Sequence, residues 1–360
     1  MSGRRVAITG CGDDQDRPPN SSVAGRAWPA ALTGGGVPRL PRLVGAYLLT
    51  LVLVVTVVFA LPRAMPGDPL VALQDPSSGG AASPDVSAHL RAYYGLDRPV
   101  ADQYVHYLSG LAQGDLGWSI SRNVAVSSLI AEHLPWTLLL LGLSFSVAAV
   151  VSFAAGVSAA WRRGRLADRA LLVTMTALRA LPPYVLAALL LVGLAVIFPV
   201  LPLAGARTPF VRYVTPLGTA LDVGRHLVLP TAALSLSLLS TKFLLVRNTM
   251  LSSLGQDYMV LARAKGLPER LLKYRHGGRN ALLPFMAAMG VEAGFAVGFS
   301  IFVESVFAYP GMGTLILRAV ETRDYPVLEA AFLVLAALVL AGNLIVEVVS
   351  ARLDPRVATR

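Results

Sequence analysis

The sequence predicts an all-helical integral membrane protein, and three observations carry that prediction. Charged residues make up only 14% of the chain against 55% apolar, where an ordinary soluble domain holds roughly 25% charged. Six apolar stretches are long enough to cross a bilayer, whose hydrocarbon core needs roughly 20 helical residues. The basic residues, which bring the formal net charge to +10, are dense and sparse by turns between those stretches. A chain so poor in charge cannot coat a water-facing surface, which excludes the soluble classes. The one cysteine, Cys11, excludes a disulfide framework and any cysteine-based zinc or iron–sulfur site.

Residues 1–42 read as a tail, disordered over 1–38, where Gly, Pro, Ser and Arg accompany Asp13, Asp14 and Asp16. No apolar signal-peptide core occurs in residues 1–30, so the first span, 43–62, is expected to act as an uncleaved anchor. Residues 63–132 form a segment too long for a simple connection, and apolar spacing in 86–94 and 101–116 suits short amphipathic helices in a small folded cap. A core over 133–351 supplies five further spans. They are 134–160 without a charge, a third from about 170 to 206 interrupted by Arg179, then 227–246 with Lys242 near its end. The last two are 281–307 with Glu292 and Glu304, and 327–350 with Glu329 and Glu347. Leu181-Pro182-Pro183 should break or kink the third helix and leave carbonyls that need protein or water as partners.

The bases assign the sides. Segments 1–42, 161–169, 247–280 and 351–360 hold 20 of the 31 bases, while 62–133, 199–226 and 307–326 hold 9, at less than half the density. By the positive-inside rule the first set is cytoplasmic, the tail and the C-terminal residues 352–360 included. The net positive charge therefore reads as topology and not as a nucleic-acid footprint.

Between the fourth and fifth spans, residues 251–284 form a basic stretch with an unusual pattern. Asp257 suits an N-cap, Tyr258 to Lys265 is a run of good helix formers, and Gly266 and Pro268 stop it. A second helix can start from Pro268 and run toward Gly277, making a helix–glycine–helix elbow. One reading is a loop that merely satisfies the charge rule. The other is a docking site, since Ala262, Ala264 and Gly266 allow another protein's surface to approach the backbone.

The chain contains no G-x-x-x-x-G-K-[ST] phosphate loop, no H-E-x-x-H and no G-x-S-x-G, and His106, His133 and His226 are scattered. No catalytic residue, cofactor or metal site is expected. Ionisable residues within spans cost a few kcal/mol each unless they face protein or water. Glu292, nearest mid-span, is a candidate to line a pathway, with hydrogen-bonded packing as the alternative. Arg179 at the expected break and Glu304 are further pathway candidates, although Glu304, Glu347 and Lys242 lie near span ends where they can snorkel or pair.

Several short motifs follow one another in order. They are Pro66-Gly-Asp-Pro69, Tyr94-Gly-Leu-Asp-Arg-Pro-Val100 with Gln103-Tyr104, and Gly114-Asp-Leu-Gly117 with Ser119. Leu134-Pro135 with Thr137-Leu138, Asp257-Tyr258, Ala262-Arg-Ala-Lys-Gly266, Arg275-His276, Arg279-Asn280 and Leu283-Pro284 come next. Glu304 with Val306-Phe307, Pro310-Gly-Met-Gly313, Arg323-Asp-Tyr-Pro326, Asn343-Leu344 and Leu353-Asp-Pro-Arg356 complete the series. In these the chain resembles the inner-membrane permease subunits of ABC importers for peptides and nickel, the dipeptide and oligopeptide branch, over roughly residues 40–357.

The resemblance implies a type-1 ABC importer permease fold. It makes the elbow residues Asp257, Tyr258, Ala262, Arg263, Ala264, Lys265, Gly266, Arg275 and His276 the segment that docks on an ATP-binding subunit. It also implies a sister permease subunit, two ATP-binding subunits and an external substrate-binding lipoprotein as partners, with lipid around the spans and no nucleic acid. Hydrolysis would then belong to the separate subunits. The chain departs from the family pattern in its first 38 residues, in Arg179 where an apolar residue is usual, and in Gly277-Gly278 where helix formers are usual. A rival reading is a secondary transporter or channel working alone with Glu292 as its ion site. An intramembrane enzyme is a further rival, without a nucleophile–base arrangement to support it.

Overall fold

Backbone polar groups have no water to bond in hydrocarbon, so a spanning chain satisfies them within each helix. The computed structural model, which describes residues 40–64, 97–211 and 213–353, follows that rule. Its elements are α1 (Leu40–Ala64), α2 (Val100–Ala112), α3 (Val126–Trp161), α4 (Leu166–Ala180), α5 (Pro183–Leu191), α6 (Pro216–Leu254), α7 (Asp257–Ala264), α8 (Arg279–Val306), α9 (Met312–Thr322) and α10 (Tyr325–Leu353). Residues 1–39, 65–96, 212 and 354–360 lie outside the described residues, and with them the expected tail, the first expected cap helix, the motif at Pro66–Pro69 and most of the last motif.

Five helices are long and apolar enough to cross a membrane: α1 from Tyr47, α3, α6, α8 with the turn from Leu271 before it, and α10 to Ile345. The third expected span differs. It is two helices, α4 and α5, bent by 105°. Leu181 sits in extended geometry (φ −87°, ψ 126°), as a residue before proline must, and Pro182 and Pro183 bring no N–H to continue the ladder. This span also ends earlier than the apolar run, in a π-helical turn Val192–Ile197, and a loop follows in which the Gly205 N–H donates to the Phe307 carbonyl at 2.8 Å.

α6 is the helix around which the others pack. Two-thirds of its most apolar window (67%) is buried inside the chain, against 22–33% for the other straight spans. α3, α4, α5 and α8 all lie against it, while α10 packs on α8 and α1 on α10. Leu229, Ala233, Leu234, Leu238 and Phe243 of α6 are each at most 1% exposed. Where α3 passes, a Cβ on Gly156 would come 2.8 Å from Val246 Cβ, so the helices meet nearly backbone to side-chain root.

The chain thus has two ends. At one, the cap end, α3 and α6 start and α8 stops; at the other, the elbow end, α3 and α6 stop and α8 starts. α2 belongs to the cap end and lies across α1. Phe59 meets Tyr104 edge-on at 5.0 Å and Tyr107 at 5.5 Å, Thr56 Oγ1 and Tyr104 OH are 2.8 Å apart, and Arg63 Nε donates to Gln103 Oε1 at 3.1 Å. Burial and then the Glu329 charge push the Tyr107 hydroxyl above its ordinary pKa. The same Arg63 forms an ion pair with Glu329 of α10.

Candidate functional site

At the elbow end, α7 lies as a short separate helix after α6. Asp257 is its first residue and not its cap, a correction of one position: Gln256 holds the N-cap place in extended geometry, and no side chain accepts a capping bond. The acid still lies in the first turn, where the helix dipole favours negative charge. α7 ends at a left-handed glycine. Gly266 has φ +71°, its N–H donates to Arg263 O at 2.9 Å, and a Cβ there would meet nothing within 4 Å. The conformation, not the space, is what calls for glycine at this turn.

The second arm of the elbow runs past its expected end near Gly277. From Pro268 the chain passes through a π-helical turn, Leu271–Gly278, straight into α8. Gly277 and Gly278 are buried, and a Cβ on Gly277 would lie 3.1 Å from Met250 Cε. The two glycines therefore let the wider π turn press against α6 and α3. Arg275 of this turn is exposed, and His276 is half-buried with Nδ1 3.2 Å from Leu271 O.

One face of α7 is fixed to the bundle. Met259 and Ala262 are 0% and 6% exposed and pack with Leu272, with Trp161 and Leu254 closing around them. The Arg263 guanidinium lies 5.9 Å from the Trp161 ring, and Asn280 Nδ2 donates to Tyr258 OH at 2.6 Å. α7 thus touches the ends of α3 and α6 and the start of α8. The other face is open: Val260 and Leu261 are 63% and 57% exposed, beside exposed Tyr258, Arg263, Ala264, Lys265 and Gly266. Ala262, which the sequence groups with Ala264 and Gly266 as an approach for a partner, faces inward because it packs with Met259 and Leu272.

Two ion pairs that sequence reasoning did not join stand deeper in the bundle. Arg247 of α6 donates to both carboxylate oxygens of Asp168, at 2.7 and 2.9 Å, and Asp168 also accepts from Gly164 N–H at 2.9 Å. Lys242 of α6 pairs with Glu292 of α8. Their side chains are 4% and 16% exposed, so Lys242 does not snorkel to an interface as its place near a span end suggested.

Profiles of two families match this chain. That of the binding-protein-dependent transport system inner membrane component covers residues 152–359, and that of the N-terminal part of such membrane components covers 39–141. The chain belongs to the binding-protein-dependent transport system inner membrane component family. It is a multi-pass permease subunit, and the resemblance read from its motifs holds. A protein of Brucella ovis named "Putative peptide permease protein" is 38% identical over 301 residues, 83% of this chain and 92% of that one. The glutathione transport system permease protein GsiC of Escherichia coli K12 is 34% identical over 318 residues, 88% of this chain and 97% of its own length. The counterpart in Salmonella typhimurium is also 34% identical over 318 residues.

Within this permease, motifs far apart in sequence meet in pairs at the cap end. Glu304 is 0% exposed: Thr137 Oγ1 donates to it at 2.8 Å and Gly313 N–H at 2.6 Å, while Met312 N–H donates to Thr137 Oγ1 at 2.7 Å. One carboxylate so binds the end of α8, the start of α9 and the wall of α3, and it is sealed inside the protein instead of snorkelling. Beside it, burial and the Glu304 charge raise the pKa of the Tyr309 hydroxyl. Asp324 is the second such centre. It accepts from Ser119 Oγ at 2.5 Å, Ile120 N–H at 3.1 Å, and Ser121 N–H and Oγ at 3.0 and 2.7 Å. Arg179 stands apart from both centres, exposed in the last turn of α4 beside the 105° break.

Proposed function

We propose that this permease is one of two membrane subunits of an ATP-driven importer for short peptides or related solutes such as glutathione or nickel chelates. The single observation that carries the reading is the open apolar face of α7, Val260 and Leu261, on a helix whose opposite face packs against three spans. An exposed apolar patch beside arginine and lysine suits a protein partner, and in this family that partner is an ATP-binding subunit. The peptide or glutathione cargo rests on the names of the relatives.

In this reading both termini and the elbow are cytoplasmic, and the cap end faces outward. Two ATP-binding subunits close on nucleotide and push α7, and the motion passes as a rigid body into α3, α6 and α8. A sister permease completes the path, and an external binding lipoprotein delivers the solute at the cap end. Reporters fused at Gly277 and Ser77 are expected on opposite sides of the membrane, Gly277 inside; both on one side would overturn the orientation.

Gly266→Val tests the docking role. At φ +71° a β-branched residue is strained, yet the turn lies beyond the packed face. The expected outcome is a normal amount of protein in the membrane, poor recovery of the ATP-binding subunits and no uptake. A variant that co-purifies its ATPases and transports normally removes the elbow from the mechanism. A transporter working alone through Glu292 would take up solute without any ATPase; Lys242, already paired with that carboxylate, speaks against a free ion site there.

A further inference from the structure

A cavity of about 250 Å³ opens at the cap end between the 119–122 turn and α9. Its floor is apolar and buried: Leu129, Leu315, Ala319 and Val327 are 5%, 2%, 4% and 2% exposed. Its rim carries the exposed side chains of Arg122, Arg318 and Glu321. Asp324 also borders it, but that carboxylate is engaged by four donors of the 119–121 turn and has little left to offer a guanidinium. Among the described residues neither Arg122 nor Arg318 forms an ion pair. The rim therefore holds two guanidiniums against one free carboxylate.

The size narrows the occupant. Sites for small molecules run to roughly 300–1,000 Å³, and this cavity falls below that range while lying open to the outside of the bundle. It suits one inserted side chain better than a whole solute. The position narrows it further, because the cap end is the end opposite the elbow. We propose that this pocket receives an aspartate or glutamate side chain from a surface loop of the external binding protein, with Arg122 and Arg318 as the recognising pair. The carboxylate would lie between the two guanidiniums, and its methylenes would rest on Leu315 and Ala319. This inference rests on the importer reading above and adds a docking pocket and the chemistry of the contact.

The test uses the whole transporter, permease pair and ATPases together, in lipid nanodiscs with its purified binding protein. The half-saturating concentration of binding protein for stimulating ATP hydrolysis is measured at low and high salt. Rim charges act chiefly on association rate and salt dependence, so Arg122→Gln and Arg318→Gln are each expected to raise that concentration about 3–10-fold at low salt. The double reversal Arg122→Glu/Arg318→Glu is expected to raise it by about 100-fold or more and to flatten the salt dependence. Glu321→Gln is expected to lower it about twofold.

An assembled double variant with an unchanged half-saturating concentration overturns the pocket while leaving the importer reading intact. Wild-type complexes that recover no ATPase, or that ignore the binding protein, overturn both. Protection of a Thr322→Cys label by free dipeptide alone would assign the pocket to the solute and overturn the proposed occupant.

Discussion

At the cap end, Gly311 and Gly313 leave no room for a side chain: a Cβ on Gly313 would lie 2.5 Å from Ile301 Cα, and one on Gly311 would overlap the Glu304 carboxylate. At the elbow end, a Cβ on Gly266 would meet nothing within 4 Å, and its positive φ alone calls for glycine. The charged groups divide less cleanly, because Arg63 pairs with Glu329 at the cap end as well. Glu304 and Asp324 at the cap end are satisfied largely by neutral hydroxyls and backbone N–H groups inside closed knots. Asp168, toward the elbow end, is held by the Arg247 guanidinium. One end is built by close packing around buried carboxylates; the other presents a short helix whose free face is available to a partner. Assembly failure and coupling failure should therefore map to different ends.

The sharpest break between them is expected from Gly313→Ala. Its Cβ meets backbone, which cannot swing aside, and overpacking of a tight core costs typically about 1–3 kcal/mol or more. The start of α9 and its bond to Glu304 would be displaced, so membrane-inserted protein measured on blots of membrane fractions should fall to a small fraction of normal. Normal levels would erase the contrast.

A second break concerns the buried pair between the ends. Lys242→Met leaves Glu292 uncompensated and is expected to cost about 3–5 kcal/mol, whereas Lys242→Met with Glu292→Leu should recover most of it. Thermal unfolding of the purified protein in detergent distinguishes them. If the double variant is as weak as the single one, the pair contributes more than mutual neutralisation.

A smaller and graded effect is expected at Gly266. Asparagine enters the left-handed region several-fold more readily than most residues, while an ordinary L-residue there costs roughly 1–2 kcal/mol. Uptake should decline in the order Gly, Asn, Ala, Val at equal membrane levels. An order that followed side-chain size alone, with Ala better than Asn, would move the explanation from backbone conformation to contact with the partner. The smallest effect is expected from deleting residues 2–36: with Arg39 and Arg42 kept to orient the first span, insertion and uptake should stay unchanged in a transport assay. Loss of uptake in a normally inserted truncation would give the tail a role outside both ends.

The sequence by itself determined what depends on neighbours along the chain. Hydropathy marks α1, α3, α6, α8 and α10, because each needs only a run of apolar residues long enough for lipid. Leu181-Pro182-Pro183 foretold the break, since proline acts on its own turn, and Gly266 before Pro268 foretold where α7 stops for the same reason. Only the tertiary structure decided what depends on how helices pack. Thr137 meets Glu304 across 167 residues, Ser119 meets Asp324 across 205, and Lys242 meets Glu292 across 50. Nothing local to Glu304 distinguishes a carboxylate sealed by a threonine and a glycine N–H from one reaching for the membrane surface. Ala262 likewise turned inward because Met259 and Leu272 seat α7 against Trp161, a contact set by the ends of other helices. Helix existence is a property of a segment's own composition, while the environment of a charge in a membrane is a property of whatever the bundle brings beside it.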